Sequence, residues 1–116
     1  MADYKPLPVT NITSLPDNLR IACLVTQWNE NAVQSLLNVN ILFLKENGFH
    51  GISVFQVPGS LELPGMAAKL IEDYDIVLLF GVIIKGKTMH YEFIAQAIFN
   101  GIVALSIQYP SKTLIS

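Results

Sequence analysis

Three short, almost wholly apolar runs alternate along this chain with three stretches whose apolar residues recur every three or four positions. That alternation leaves few folds open. Arg20 to Thr26, Gly51 to Val57 and Asp75 to Ile84 are the apolar runs and read as strands, the first fitting a strand buried on both faces. After the first run, Val33, Leu36, Leu37, Ile41 and Leu44 fall on one face of a helix that Gly48 stops. After the second, Leu63, Ala67, Leu70 and Ile71 give another helical stripe, with Pro64 tolerable only in the first turn. A third helix starts near His90, with Ile94, Ala97 and Ile98 facing inward. Strand–helix repetition with right-handed crossovers predicts an α/β fold, a three-layer αβα sandwich around a mostly parallel sheet. Residues 1–19 contain Pro6, Pro8 and Pro16 and a polar run from Thr10 to Ser14, so they are expected to form an extended arm, with the α/β domain over 20–116.

Composition narrows the function classes. Apolar residues make up 52% and charged residues 14%, which excludes a disordered chain. A formal net charge of −2 offers no basic footprint for nucleic acid. The longest apolar run, Ile76 to Ile84, is half the length of a membrane span, and the amino terminus lacks a signal-peptide pattern. Cys23 is the one cysteine, so no disulfide framework exists and a cytoplasmic location is expected. So apolar a chain of 116 residues would expose patches as a monomer, which predicts a subunit interface.

In a parallel sheet of this kind, ligands bind in the crevice outside the carboxyl ends of the strands. Three segments lie there: Trp28-Asn29, Pro58 to Glu62, and Lys85 to His90. The third overlaps a match to G-x-x-x-x-G-K-[ST], from Gly81 to Thr88. A nucleotide-binding P-loop begins where its strand has ended, however. Here Val82-Ile83-Ile84 continue the apolar run, so Gly81 reads as a strand position, and no further apolar strand ending in a magnesium-binding Asp follows. What remains is a glycine turn with Lys87 and Thr88 leading into a helix, which suits a phosphate or carboxylate ligand. A solvated charged turn is the alternative, and Lys85 by itself reads that way. His90 next to it is either a surface or capping histidine or a general acid/base beside the anion. His50 follows Gly48-Phe49 at the opposite end of the sheet and receives no role.

Three motifs, taken together, resemble lumazine synthases. They are Arg20-Ile…Trp28-Asn29-Glu30, Val57-Pro58-Gly59-Ser60-Leu61-Glu62-Leu63-Pro64, and Gly81-Val-Ile-Ile-Lys-Gly86-Lys-Thr88-Met-His90-Tyr-Glu-Phe-Ile94. The resemblance covers about residues 20–107 and implies a flavodoxin-like sheet. It also implies a reaction: condensation of 5-amino-6-(ribitylamino)uracil with 3,4-dihydroxy-2-butanone 4-phosphate to 6,7-dimethyl-8-ribityllumazine in riboflavin biosynthesis. No metal or organic cofactor is implied. The expected partners are these small molecules and further copies of the chain, in a pentamer or a shell of pentamers, with no nucleic acid and no membrane.

Trp28 would stack on the pyrimidine and Asn29 would bond its edge, although a half-buried loop anchor is an alternative role for the indole. Gly59, Ser60, Leu61 and Glu62 would hold the pyrimidine and ribityl chain, with the Glu62 carboxylate accepting ribityl hydroxyls. Glu62 would at the same time complement a helix dipole, worth about 0.3–1 kcal/mol. Gly81, Val82 and Ile83 complete the substrate-binding set, Gly86, Lys87 and Thr88 match the phosphate turn, and His90 matches the proton-transfer residue. Lys85 stands where the family has Arg, and Lys87 where a small or acidic residue is usual. The tail from Tyr109 to Ser116 does not match the family's fourth strand, so the fold is expected to lack the family's last strand and helix. Two other readings share the fold: an archaeal-type riboflavin synthase, which converts two lumazines, and a non-catalytic assembly subunit.

Overall fold

The computed structural model describes residues 15–16, 18–27, 30–83 and 90–116. Four strands, β1 (Ile21–Thr26), β2 (Ile52–Val57), β3 (Ile76–Phe80) and β4 (Thr113–Ile115), form one sheet in the order β2-β1-β3-β4. Every pairing is parallel, with Ile21 opposite both Ile52 and Ile76. The three helices are α1 (Glu30–Glu46), α2 (Leu63–Leu70) and α3 (His90–Gln108).

β1 lies in the middle of the sheet and is buried along its whole length. Its side chains alternate between two cores, as the period-two geometry of a strand dictates. Ile21, Cys23 and Val25 pack with Val33 and Leu37 of α1 and with Phe49. Ala22 and Leu24 pack on the other face with Leu63, Ala67, Ile71, Ile98, Ile102 and Leu105, from α2 and α3. The three-layer sandwich expected from the alternating pattern is the fold.

Local chemistry explains the element ends. Gly48 adopts φ +89°, a left-handed conformation that favours glycine. There the Phe49 N–H reaches the Leu44 carbonyl at 2.9 Å and the Gly48 N–H reaches Lys45 at 3.1 Å, the paired bonds of a Schellman cap. Buried Phe49 locks the cap into the core. Pro64 falls in the first turn of α2, where its missing N–H costs nothing.

The structure departs from the pattern reading in four places. β3 ends at Phe80 and not at Ile84: its last pair with β1 is Val25–Phe80, and Gly81 has no side chain with which to continue the packing. The tail does add a fourth strand, with Thr113, Leu114 and Ile115 beside Ile76, Val77 and Leu78. Three residues with exposed, half-buried, exposed burial carry too little pattern to be read as a strand. Leu36 is 48% exposed rather than core, because it flanks an open groove of about 270 Å³ over Leu78, Phe80 and Ile115. Ala97 is exposed, since α3 is buried along Ile98, Ile102 and Leu105.

Candidate functional site

The carboxyl ends of β1, β2 and β3 stand side by side, at Thr26, Val57 and Phe80. β1 and β2 stay paired one step further, through the Gln27 N–H donating to the Val57 carbonyl at 3.1 Å. The chain leaves β2 through Pro58 and an extended Gly59, then makes a 3-10 helix, Ser60–Glu62, in front of α2. Glu62 is the N-cap of α2, which begins at Leu63, and Ser60 and Leu61 precede it in the 3-10 turn. The Glu62 N–H is already spent on the Gly59 carbonyl at 3.1 Å, and the Leu63 N–H on Ser60. Backbone donors in this turn are fewer than a bare helix end would give.

Gly81 is where the three exits meet. A side-chain carbon added there would lie 2.7 Å from Ser60 Oγ, 3.1 Å from Leu63 Cδ1 and 3.2 Å from Thr26 Cγ2. Thr26 ends β1, Ser60 opens the turn after β2, and Gly81 is the first residue after β3. The requirement at Gly81 is thus for space. The Ser60 hydroxyl also donates to the Val82 carbonyl at 3.4 Å, long for such a bond but directed at the same segment.

Besides the groove over Leu78 and Phe80, which also reaches Gly81, two further depressions adjoin this junction among the described residues. One of about 310 Å³ is lined by Ser60, Gly81 and Ile83 together with Leu63, Leu79 and Ile98, and extends to Phe99 and Ile102. The other, about 380 Å³, lies on the β2 side, against Gln56, Pro58, Glu62, Met66 and Lys69. The structure thus joins Ser60 to Gly81, Val82 and Ile83 but turns Glu62 toward the neighbouring depression. Leu61 is exposed beside it. His90 is the exposed first residue of α3, followed by Tyr91, whose hydroxyl donates to Glu92 at 3.0 Å. Trp28, Asn29, Gly86, Lys87 and Thr88 lie outside the described residues.

Sequence reasoning missed Thr26, Leu79, Phe99 and Ile102 as neighbours of the site. Ile102 was findable, because it continues the four-residue step from Ile94 and Ile98. Phe99 was not, being one position off that stripe. Among the described residues, no three or more His, Cys, Asp or Glu side chains gather closely enough to hold a metal ion. Cys23 is no candidate nucleophile: burial in the α1-side core pushes its thiol from 9.0 up to about 11.

The fold defines a small doubly wound α/β protein in which the exits of three neighbouring strands meet at Gly81. Comparison with known proteins makes the assignment particular. Residues 18–113 match the family described as 6,7-dimethyl-8-ribityllumazine synthase, and the chain belongs to that family. It is 34% identical over 90 residues to the 6,7-dimethyl-8-ribityllumazine synthase of Renibacterium salmoninarum, covering 78% of this chain and 57% of that protein. To the Pyrococcus furiosus protein of the same name it is 36% identical over 93 residues, covering 79% and 59%. To that of Streptomyces coelicolor it is 31% identical over 105 residues, covering 90% and 65%. The chain thus spans less than two thirds of the length of these relatives. The P-loop reading gives way to this family, although the early end of β3 removes the objection that Gly81 sits within a strand. Among the described residues no helix is long and apolar enough to cross a membrane.

Proposed function

We propose that this chain condenses 5-amino-6-(ribitylamino)uracil with 3,4-dihydroxy-2-butanone 4-phosphate to give 6,7-dimethyl-8-ribityllumazine, in the cytoplasm, as a homo-oligomer of pentameric type and without a cofactor. The observation that carries this reading is the convergence at Gly81 of the exits from β1, β2 and β3, in a chain of this family. The turn after β1 brings Trp28 and Asn29 to the pyrimidine ring. The turn after β2, Gly59 to Glu62, holds the ribityl chain, with the Glu62 carboxylate accepting its hydroxyls. Gly81, Val82 and Ile83 form the wall between them, and Gly86, Lys87 and Thr88 take the phosphate. Lys87 there acts as a point charge rather than a bidentate fork.

The chemistry asks little of any single side chain. The pyrimidine's 5-amino nitrogen attacks the butanone carbonyl and water leaves, the phosphate departs with its C–O bonding pair, and the ribitylamino nitrogen closes the ring on the second carbonyl with loss of a second water. Each step moves a proton, and His90, which follows the phosphate turn in the sequence, carries it. Holding the two substrates in contact supplies most of the acceleration.

The test is optical detection of lumazine with both substrates supplied to the purified chain. Product that requires both substrates is the expected result. Product from lumazine alone would instead mean a riboflavin synthase. Binding of both substrates without turnover would mean an assembly subunit that has lost its chemistry. Binding of neither contradicts the assignment of the site.

A further inference from the structure

We infer that the edge of β3 past the end of β4 is a slot for an added strand: an extended segment of another polypeptide, apolar at alternate positions, pairs there with Leu79 and Gly81. This rests on strand register and not on the reaction proposed above. The two ladders of β3 differ in length. Beside β1 the pairing runs to Phe80, whereas beside β4 it stops at Leu78, opposite Ile115. In a parallel strand the backbone groups of successive residues point to opposite sides. The Ile76 N–H reaches the Arg20 carbonyl on the β1 side, and the Asp75 carbonyl takes the Thr113 N–H on the β4 side. By that alternation the Leu79 carbonyl and the Gly81 N–H point to the β4 side, beyond its last pair. Gly81 is exposed, and among the described residues neither group is used in a turn or loop bond. One residue laid parallel opposite Phe80 would donate to the first group and accept from the second.

The two faces of the sheet say what such a strand carries. Leu78 and Phe80 face α1, and Leu79 faces α2 and α3. The groove of about 270 Å³ over Leu36, Phe80 and Ile115 therefore lies on one face of this edge, and the depression of about 310 Å³ with Leu79, Phe99 and Ile102 on the other. Ser116 lines both. A residue opposite Phe80 would turn into the groove, and the next, opposite Gly81, into the depression. Neither is lined by a charged side chain, so both incoming residues are apolar. The depression at the other edge of the sheet, along β2, differs in having Glu62 and Lys69 in its lining. No described segment of this chain reaches the slot, so the strand comes from a separate polypeptide. The relatives named above hold a third or more of their length outside the part matched here, so the fold accommodates more chain than these residues.

The probe is an acetylated, amidated hexapeptide of alternating valine and threonine, titrated into the full chain and followed by backbone-amide NMR. Saturable shifts at Leu79, Gly81 and Ile115, with slowed solvent exchange of the Gly81 N–H, are the expected result. Leu36→Asp places a charge in the groove and Phe99→Asp one in the depression, both at exposed positions that leave the melting temperature little changed. Each is expected to weaken peptide binding about tenfold or more. An all-threonine hexapeptide should bind more weakly by a similar factor.

Absence of binding at millimolar peptide would overturn the slot. Shifts confined to residues 52–57 would place strand addition at the β2 edge instead. Weakening by only one of the two aspartate variants would overturn the fit on both faces. Equal binding of the all-threonine peptide would overturn the requirement for alternate apolar residues.

Discussion

The two ends of the sheet are built to opposite plans. At the amino end, polar groups are used on one another. The Arg20 N–H donates to the Asp75 carboxylate at 2.8 Å, the Asp75 N–H returns to the Arg20 carbonyl at 2.8 Å, and the Thr113 N–H reaches the Asp75 carbonyl at 3.0 Å. The Arg20 guanidinium lies 4.9 Å over the Tyr74 ring, and Tyr74 meets Phe55 edge to face. Tyr109 donates to the Glu72 carboxylate and Lys112 to the Glu72 carbonyl. Loss of solvent, and then the nearby Glu72 carboxylate, push the Tyr109 hydroxyl's titration upward. At the carboxyl end, the described side chains leave open depressions and meet at a glycine. Among the described residues, the contrast is between an end cross-linked by polar bonds and an end bordered by open depressions, and it teaches where to look for chemistry.

Substitutions can break or sharpen this contrast. The largest effect should come from Leu24→Ala, in the middle of the central strand, which serves both ends. Loss of a fully buried leucine is expected to cost about 2–5 kcal/mol in denaturant unfolding and to weaken the carboxyl-end site as well. His90→Ala should lower turnover about tenfold or somewhat more while leaving unfolding unchanged, short of the 10²–10⁴ of a dominant acid/base. Complete loss of turnover with substrate binding intact would show a larger proton-transfer role. Asp75→Ala should cost about 1–2 kcal/mol of stability, with phosphate and pyrimidine affinities untouched. A change in those affinities would mean that the two ends are coupled.

A further effect, confined to alkaline pH, is a pH dependence common to neither end. Because burial raises the Cys23 thiol from 9.0 to about 11, the folded chain keeps its proton where the unfolded chain loses it. Stability that is intact below pH 9 should therefore decline as pH rises toward 11. Cys23→Ala should flatten that decline, as read from unfolding midpoints across the window. A slope unchanged by the substitution would place its origin elsewhere.

Much of this architecture was legible because it is periodic. β1 reads as a two-sided strand since Ile21 to Val25 are all apolar, and α2 reads correctly since Leu63, Ala67 and Ile71 are spaced for one face. Leu36 carries the same periodicity and misleads, because periodicity says which face is apolar and not whether a neighbour covers it. β4 escaped notice because three residues hold no period, and it is fixed by the ladder that β3 offers. In the site, motif spacing located Ser60 and Gly81 but said nothing of their contact. That contact depends on Thr26 standing opposite Val57 and one step past the Val25–Phe80 pair, next to which Gly81 follows, which is a property of register. Glu62, for its part, was placed by spacing beside Ser60, yet a 3-10 turn rotates it toward the β2 side.

The most direct test of the account is a backbone-amide NMR titration of the chain with inorganic phosphate and with 5-amino-6-(ribitylamino)uracil. The account predicts shifts at residues 57–62 and 81–90, with residues 72–75 and 109–113 still. Shifts concentrated at the amino end, around Arg20, Asp75 and Tyr109, would contradict it.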